Sequence, residues 1–103
     1  MKYKTANHYE EVRKHHPEYL EAVERLGELT KNMGPLDEKQ AQLIQLAASI
    51  ALKSEGAAHS HTKRALEAGA TKEEIRQTVF LLTNTIGFPN VMAGITWVND
   101  VLG

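Results

Sequence analysis

Apolar residues recur along this chain at intervals of three and four, and alternating strand-like runs are nearly absent. This spacing places the apolar side chains on one face of a helix, so the sequence predicts an all-α fold. Proline and glycine separate the periodic segments, as turn residues do. The predicted helices span residues 5–16, 17–32, 37–53, 57–68, 72–86 and 89–102, and the first of them is the weakest.

Local signals support several of these helix ends. Asp37 with Gln40, and Thr71 with Glu74, have the spacing of capping boxes, in which side chains satisfy the first free backbone N–H groups. Gly69 stands where a left-handed C-terminal cap is expected. The sequence therefore predicts helix starts after Asp37 and Thr71 and a helix end before Gly69.

Size and composition exclude several classes of protein. A chain of 103 residues buries about 65% of its unfolded surface, enough for one core, so a single domain over residues 1–103 is predicted. A net charge of -1 without a dense Lys/Arg cluster argues against a nucleic-acid partner. The absence of cysteine excludes disulfides, thiolate metal sites and thiol redox chemistry. The N-terminal segment carries acidic residues and no apolar run, so a cytoplasmic location is expected.

Charge is distributed unevenly along the chain. Residues 77–103 carry a single charged side chain, Asp100, although two helices are predicted there. Gly87 and Pro89 interrupt this apolar region, so it is too short to span a membrane. Surface helices of a small monomer normally have a charged face, and burial between subunits is the preferred explanation. The alternative is that Thr, Asn and Gln side chains provide a sufficiently polar outer face.

His59 and His61 are the most conspicuous polar residues of the fourth predicted helix. Two positions correspond to about 200° around a helix, so the two rings point to opposite faces and cannot share a metal ion within that helix. No metal site is therefore predicted. For a histidine taken alone, the simpler interpretation is that one ring packs in the core while the other is solvated.

The run from Ser54 to Ile75 resembles the central signature of the carboxymuconolactone decarboxylase family, within the alkylhydroperoxidase D-like superfamily. The resemblance continues upstream in residues 36–44 and downstream in Ile86-Gly87-Phe88-Pro89, and it covers residues 36–102. It implies an alkylhydroperoxidase D-like bundle of five to six helices. It also implies a homotrimer or homohexamer with its sites near subunit contacts.

The peroxidase branch of this superfamily has a glutamate, a Cys-x-x-Cys pair and a histidine. Matched by position, these places hold Gln42, Ser54, Ala57 and His61 in this chain, so only the histidine is kept. Peroxide reduction by that route needs a thiolate nucleophile and a resolving thiol. Thiol peroxidase activity is therefore not expected.

The decarboxylase branch is the better match, because it lacks the cysteine pair and keeps a histidine at the position of His61. The resemblance implies a cofactor-independent lyase with His61 in acid/base chemistry, Gln42 as its hydrogen-bond partner and Ser54 as an orienting hydroxyl. A small polar or anionic ligand is expected in a pocket that includes His59, Ala57 and Thr85. The alternative is a non-catalytic oligomeric binding or scaffold protein that keeps the fold.

Overall fold

The computed structural model describes the backbone from Lys4 to Gly103 and the side chains from His8 onward. This part of the chain contains helices and turns and no strand, which confirms the predicted all-α class. The helices are α1 (Lys4–His15), α2 (Pro17–Lys31), α3 (Glu38–Ala51), α4 (Glu55–Glu67), α5 (Lys72–Phe80), α6 (Thr83–Ile86) and α7 (Phe88–Leu102). None of the described helices has the length and apolar character that crossing a membrane requires.

The described chain divides into two compact units, one up to Asp37 and one from Glu38 onward. In the first unit, α1 and α2 meet around Glu24, whose carboxylate accepts hydrogen bonds from Tyr9 and, at 2.7 Å, from Arg13. The hydrogen bond that Arg13 donates to Glu24 raises the pKa of Arg13. These contacts join the two helices through polar groups.

The apolar residues that recur along one face of α2 are mostly exposed in the chain. Leu20 is buried, whereas Tyr19, Val23, Leu26 and Leu29 are between 48% and 65% exposed. Single exposed apolar residues are ordinary, but a stripe on one helix face is typical of a surface that another protein surface covers.

The second unit is built around a small apolar core. Helices α3 and α4 pack side by side, and α7 contacts α3, α4, α5 and α6. Small residues let the helices approach closely, with Ala58 and Ala65 on α4 both fully buried. The core residues are Leu46, Ile50, Ala58, Ala65, Ala70, Ile75, Val79, Val91, Val98 and Leu102.

The capping box predicted for α5 is present. The Glu74 backbone N–H donates to Thr71 Oγ1 at 3.0 Å, and the Thr71 N–H donates to the Glu74 carboxylate at 2.9 Å. That second bond, together with the Lys39 amine 3.0 Å from the same carboxylate, lowers the pKa of Glu74. Gly69 has φ +97°, so the left-handed turn expected before α5 is also confirmed.

Two differences between the predicted and the observed helices have a visible local cause. Helix α4 begins at Glu55 rather than residue 57, because the chain turns one step earlier, at Lys53 with φ 59°. The single helix predicted over 72–86 is two helices, α5 and α6. Thr83 Oγ1 donates to the Phe80 carbonyl at 2.7 Å, and the Leu82 N–H bonds to Val79, three residues back, so the α-helical ladder is interrupted there.

Gly94 on α7 allows a close helix contact. A Cβ at this position would lie 2.8 Å from Ile50 Cγ2 and 3.1 Å from Val79 Cγ1, whereas a Cβ at Gly27 on α2 would meet nothing within 4 Å. We expect Gly94→Ala to destabilise the protein, since overpacking costs typically about 1–3 kcal/mol and outweighs the gain in helix propensity. Gly27→Ala should stabilise it by roughly 0.5–1 kcal/mol. Denaturant unfolding of both variants measures the change in the free energy of unfolding. An increase for Gly94→Ala would contradict the close packing.

Candidate functional site

The candidate site is a chain of three hydrogen-bonded side chains between α3 and α4. The His61 ring nitrogen Nδ1 lies 2.8 Å from Gln42 Oε1. The Gln42 amide group Nε2 in turn donates to Glu38 Oε2 at 2.8 Å. Glu38 and Gln42 are one helical turn apart on α3, so the helix itself aligns the acid with the amide.

This chain of contacts fixes the proton on the His61 ring. A carboxylate only accepts hydrogen bonds, so the Gln42 amide must turn its NH₂ group toward Glu38 and its oxygen toward His61. The Gln42 oxygen also only accepts, and therefore His61 Nδ1 is the nitrogen that donates. In the neutral ring, the nitrogen that carries the lone pair is then Nε2.

Burial differs along the three residues. Gln42 is only 1% exposed, His61 is half-buried and Glu38 lies at the surface. A buried amide with hydrogen bonds at both ends is held in one orientation, because leaving either end unsatisfied costs about 1–3 kcal/mol. Gln42 thus connects a solvent-facing carboxylate to the imidazole through the packed contact of α3 and α4.

The other residues proposed from the sequence lie around α4 and α6. Ser54 is the exposed N-cap residue of α4, and its hydroxyl makes no capping hydrogen bond. Ala57 is half-buried on α4, one turn before His61. Thr85 is exposed on α6. Among the predicted site residues, the structure records a direct contact between His61 and Gln42.

His59 does not join this group. Its Nε2 atom lies 2.8 Å from Asp100 Oδ2 on α7 and 3.9 Å from Glu55 Oε2. The two histidines of α4 therefore have partners on different helices, α7 for His59 and α3 for His61, as the predicted opposite faces require. His59 is 6% exposed, and its Nδ1 is buried without a hydrogen-bond partner.

Two contacts were not predicted from the sequence: Glu38 as a member of the site, and Asp100 as the partner of His59. Glu38 could have been found, since it lies four residues before Gln42 and would share its helix face. Asp100 could also have been expected to have a partner, because it is the single charged residue in residues 77–103 and an isolated charge in an apolar segment is normally paired. That this partner is His59 depends on the packing of α4 against α7.

Comparisons with known proteins bear on the family and the fold of the chain. The sequence model of the carboxymuconolactone decarboxylase family matches residues 17–100. An uncharacterised protein of Methanocaldococcus jannaschii is 34% identical over 94 residues, which make up 91% of this chain and 88% of that protein. The apo crystal structure of a carboxymuconolactone decarboxylase family protein from Legionella pneumophila has a TM-score of 0.83 at 23% identity, covering 95% of this chain and 88% of that one.

That structural similarity shows a shared helical fold. The match to the family model begins at residue 17, well before the start at residue 36 that the resemblance had suggested, and it includes α2 together with the candidate site. Because this match covers most of the sequence, the chain belongs to the carboxymuconolactone decarboxylase family.

Proposed function

We propose that this protein is a small-molecule lyase of the decarboxylase type, in which His61 transfers a proton. The observation that carries the proposal is the hydrogen-bonded chain from Glu38 through Gln42 to His61. A general acid or base needs a fixed tautomer and orientation, and the Nδ1–H bond to Gln42 supplies both. Family membership supports the same class of chemistry.

Loss of carbon dioxide from a carboxylated lactone can be written with His61 alone as the proton carrier. The C–C bond to the carboxylate breaks, carbon dioxide leaves, and the electron pair remains on the substrate as an enolate. Protonated His61 then donates its Nε2 proton to the substrate carbon and regains one from solvent. In the protonated ring, the positive charge is stabilised through the Gln42 oxygen, whose amide is polarised by the Glu38 carboxylate.

Ser54 is proposed as an orienting hydroxyl for the substrate, and Ala57 and Thr85 as residues that line the binding region. The ligand class is a small polar or anionic molecule. The proton steps above use His61 and solvent, and the absence of cysteine leaves no nucleophile for thiol peroxidase chemistry.

A non-catalytic binding or scaffold role is the second candidate. It is favoured by Gln42, an amide at the position where the peroxidase branch has a glutamate, and by Ser54 and Ala57 at the two cysteine positions. The test is incubation of untagged protein with carboxymuconolactone and related carboxylated lactones, with carbon dioxide release measured against a blank. Binding of these compounds without turnover would favour the scaffold role.

We also propose that the protein assembles with itself, as a homotrimer or homohexamer. Two separate surfaces of the chain support this. One is the exposed stripe on α2. The other lies in the charge-poor segment of residues 77–103. Four large apolar side chains there are between 44% and 69% exposed: Phe80, Leu81, Phe88 and Met92. Burying one such side chain contributes about 1.5–3 kcal/mol, so several would hold subunits together.

Light scattering tests this assembly. At micromolar concentration we expect a monodisperse species of three or six chains, with no 11.5 kDa monomer. Phe88→Asp should shift the population toward smaller species, because a carboxylate in an apolar interface loses its hydration. Glu73→Gln, an exposed change on α5, is the control. A stable monomer of the unaltered protein would refute the proposed assembly.

A further inference from the structure

A second cluster of ionisable side chains lies outside the chain of Glu38, Gln42 and His61. It consists of Glu55 and His59 on α4 and Asp100 on α7, and one ligand atom from each lies within 4.8 Å of the others. His59 is buried, while both carboxylates reach the surface. The cluster is therefore anchored by an imidazole and open on its carboxylate side.

One ring proton cannot satisfy both carboxylates. His59 Nε2 is at hydrogen-bond distance from Asp100 Oδ2, 2.8 Å, but Glu55 Oε2 is 3.9 Å away and beyond that range. Two carboxylates this close repel each other unless a cation lies between them. The arrangement therefore favours a positive charge between the carboxylates of Glu55 and Asp100.

A divalent ion is a charge that these three side chains can hold together. Bound at Nε2, it would lie between the imidazole and both carboxylates, whereas the ring nitrogen alone is within hydrogen-bond distance of Asp100 and not of Glu55.

We propose that Glu55, His59 and Asp100 form a binding site for a divalent transition-metal ion of the zinc type. Nitrogen and oxygen ligands at about 2.0–2.1 Å from a tetrahedral ion lie about 3.3–3.4 Å apart. The Nε2 distances of 2.8 and 3.9 Å bracket this value, so small side-chain rotations reach it. Water would complete the coordination on the open side. Calcium and magnesium prefer oxygen ligands and are disfavoured by the imidazole.

The same geometry limits the affinity. A metal-bound His59 would carry its proton on Nδ1, and metal-ligating histidines normally donate that proton to a second group. His59 Nδ1 has no such hydrogen-bond partner. The lack of one costs about 10- to 100-fold in affinity, so we expect binding in the micromolar rather than the nanomolar range.

This site is separate from the proposed lyase chemistry. The sequence predicted no metal site because His59 and His61 cannot share an ion, and the structure supplies the other ligands from Glu55 and from α7 instead. The ion does not contact His61, so metal binding and lyase activity can each fail without the other.

Calorimetry with ZnCl₂ on untagged, chelator-treated protein tests the site. We expect one zinc ion per chain, and a Co²⁺ complex with the intense visible bands of a tetrahedral ion. Asp100→Asn keeps an oxygen that can accept from His59, so it should fold, yet it should weaken zinc binding at least 10-fold. Glu55→Gln should weaken it by a similar factor, and MgCl₂ should bind far more weakly.

Two controls separate this site from other histidines. His61→Gln, and the double change His15→Gln with His16→Gln, should leave the zinc affinity within 2-fold of the unaltered protein. Circular dichroism confirms that each variant is folded. Absence of zinc binding at millimolar concentration, or equal binding by the Asp100→Asn and Glu55→Gln variants, would overturn the proposal.

Discussion

His61→Ala should lower kcat for carbon dioxide release by about 10²–10⁴-fold, the usual contribution of a positioned general acid or base. KM should change much less, because removing an interaction made only in the transition state lowers kcat rather than ground-state binding. The reason is the geometry of the site, in which Gln42 holds His61 Nδ1 so that Nε2 carries the proton exchanged with the substrate. His16→Gln, an exposed histidine of the first unit, is the matched control and should leave kcat unchanged.

Gln42→Leu separates positioning from catalysis at the same site. Leucine removes both hydrogen bonds of Gln42, to His61 and to Glu38, while keeping a similar volume. We expect a smaller loss in kcat than for His61→Ala, together with a shift of the kcat pH profile, because the ring loses the acceptor that stabilises its charged form. An active His61→Ala variant, or a Gln42→Leu variant with an unchanged pH profile, would contradict the proposed mechanism.

Local sequence signals predicted the helices of this protein well. The boundaries of α2, α3 and α7 fall within two residues of those predicted, because proline, glycine and the apolar period act over a few residues. The capping box of Thr71 and Glu74 is another local feature, and it was found for the same reason. The break between α5 and α6 was missed, since a threonine that bonds back to Phe80 differs little in sequence from one that points to solvent.

The candidate site was only partly predictable. His61 and Gln42 could be paired through the family resemblance, and the opposite faces of His59 and His61 follow from helix geometry alone. The partner of His59 could not be inferred, because Asp100 is 41 residues away and meets it through the packing of α7 on α4. Contacts of this kind depend on how helices pack, which residue spacing does not encode.

The helix α3 that carries Glu38 and Gln42 is held in place by its apolar face, and the most buried residue on that face is Leu46. Leu46 is 0% exposed and belongs to the core shared with α4, α5 and α7. We expect Leu46→Ala to lower the free energy of unfolding by about 3–5 kcal/mol, from the lost transfer free energy and the cavity left behind. For a domain of this size, such a loss is a large fraction of the total stability.

Leu52, the residue directly after the same helix, offers a matched control. It is 80% exposed, so Leu52→Ala makes the same chemical change without opening a cavity and should alter stability by less than about 0.5 kcal/mol. Guanidinium unfolding followed by circular dichroism compares the two variants at equal protein concentration, because the proposed self-assembly would make stability depend on concentration. Equal losses at both positions would show that Leu46 does not lie in the core. Loss of structure in Leu46→Ala alone would show that the helices that carry Gln42 and His61 depend on the packing of α3.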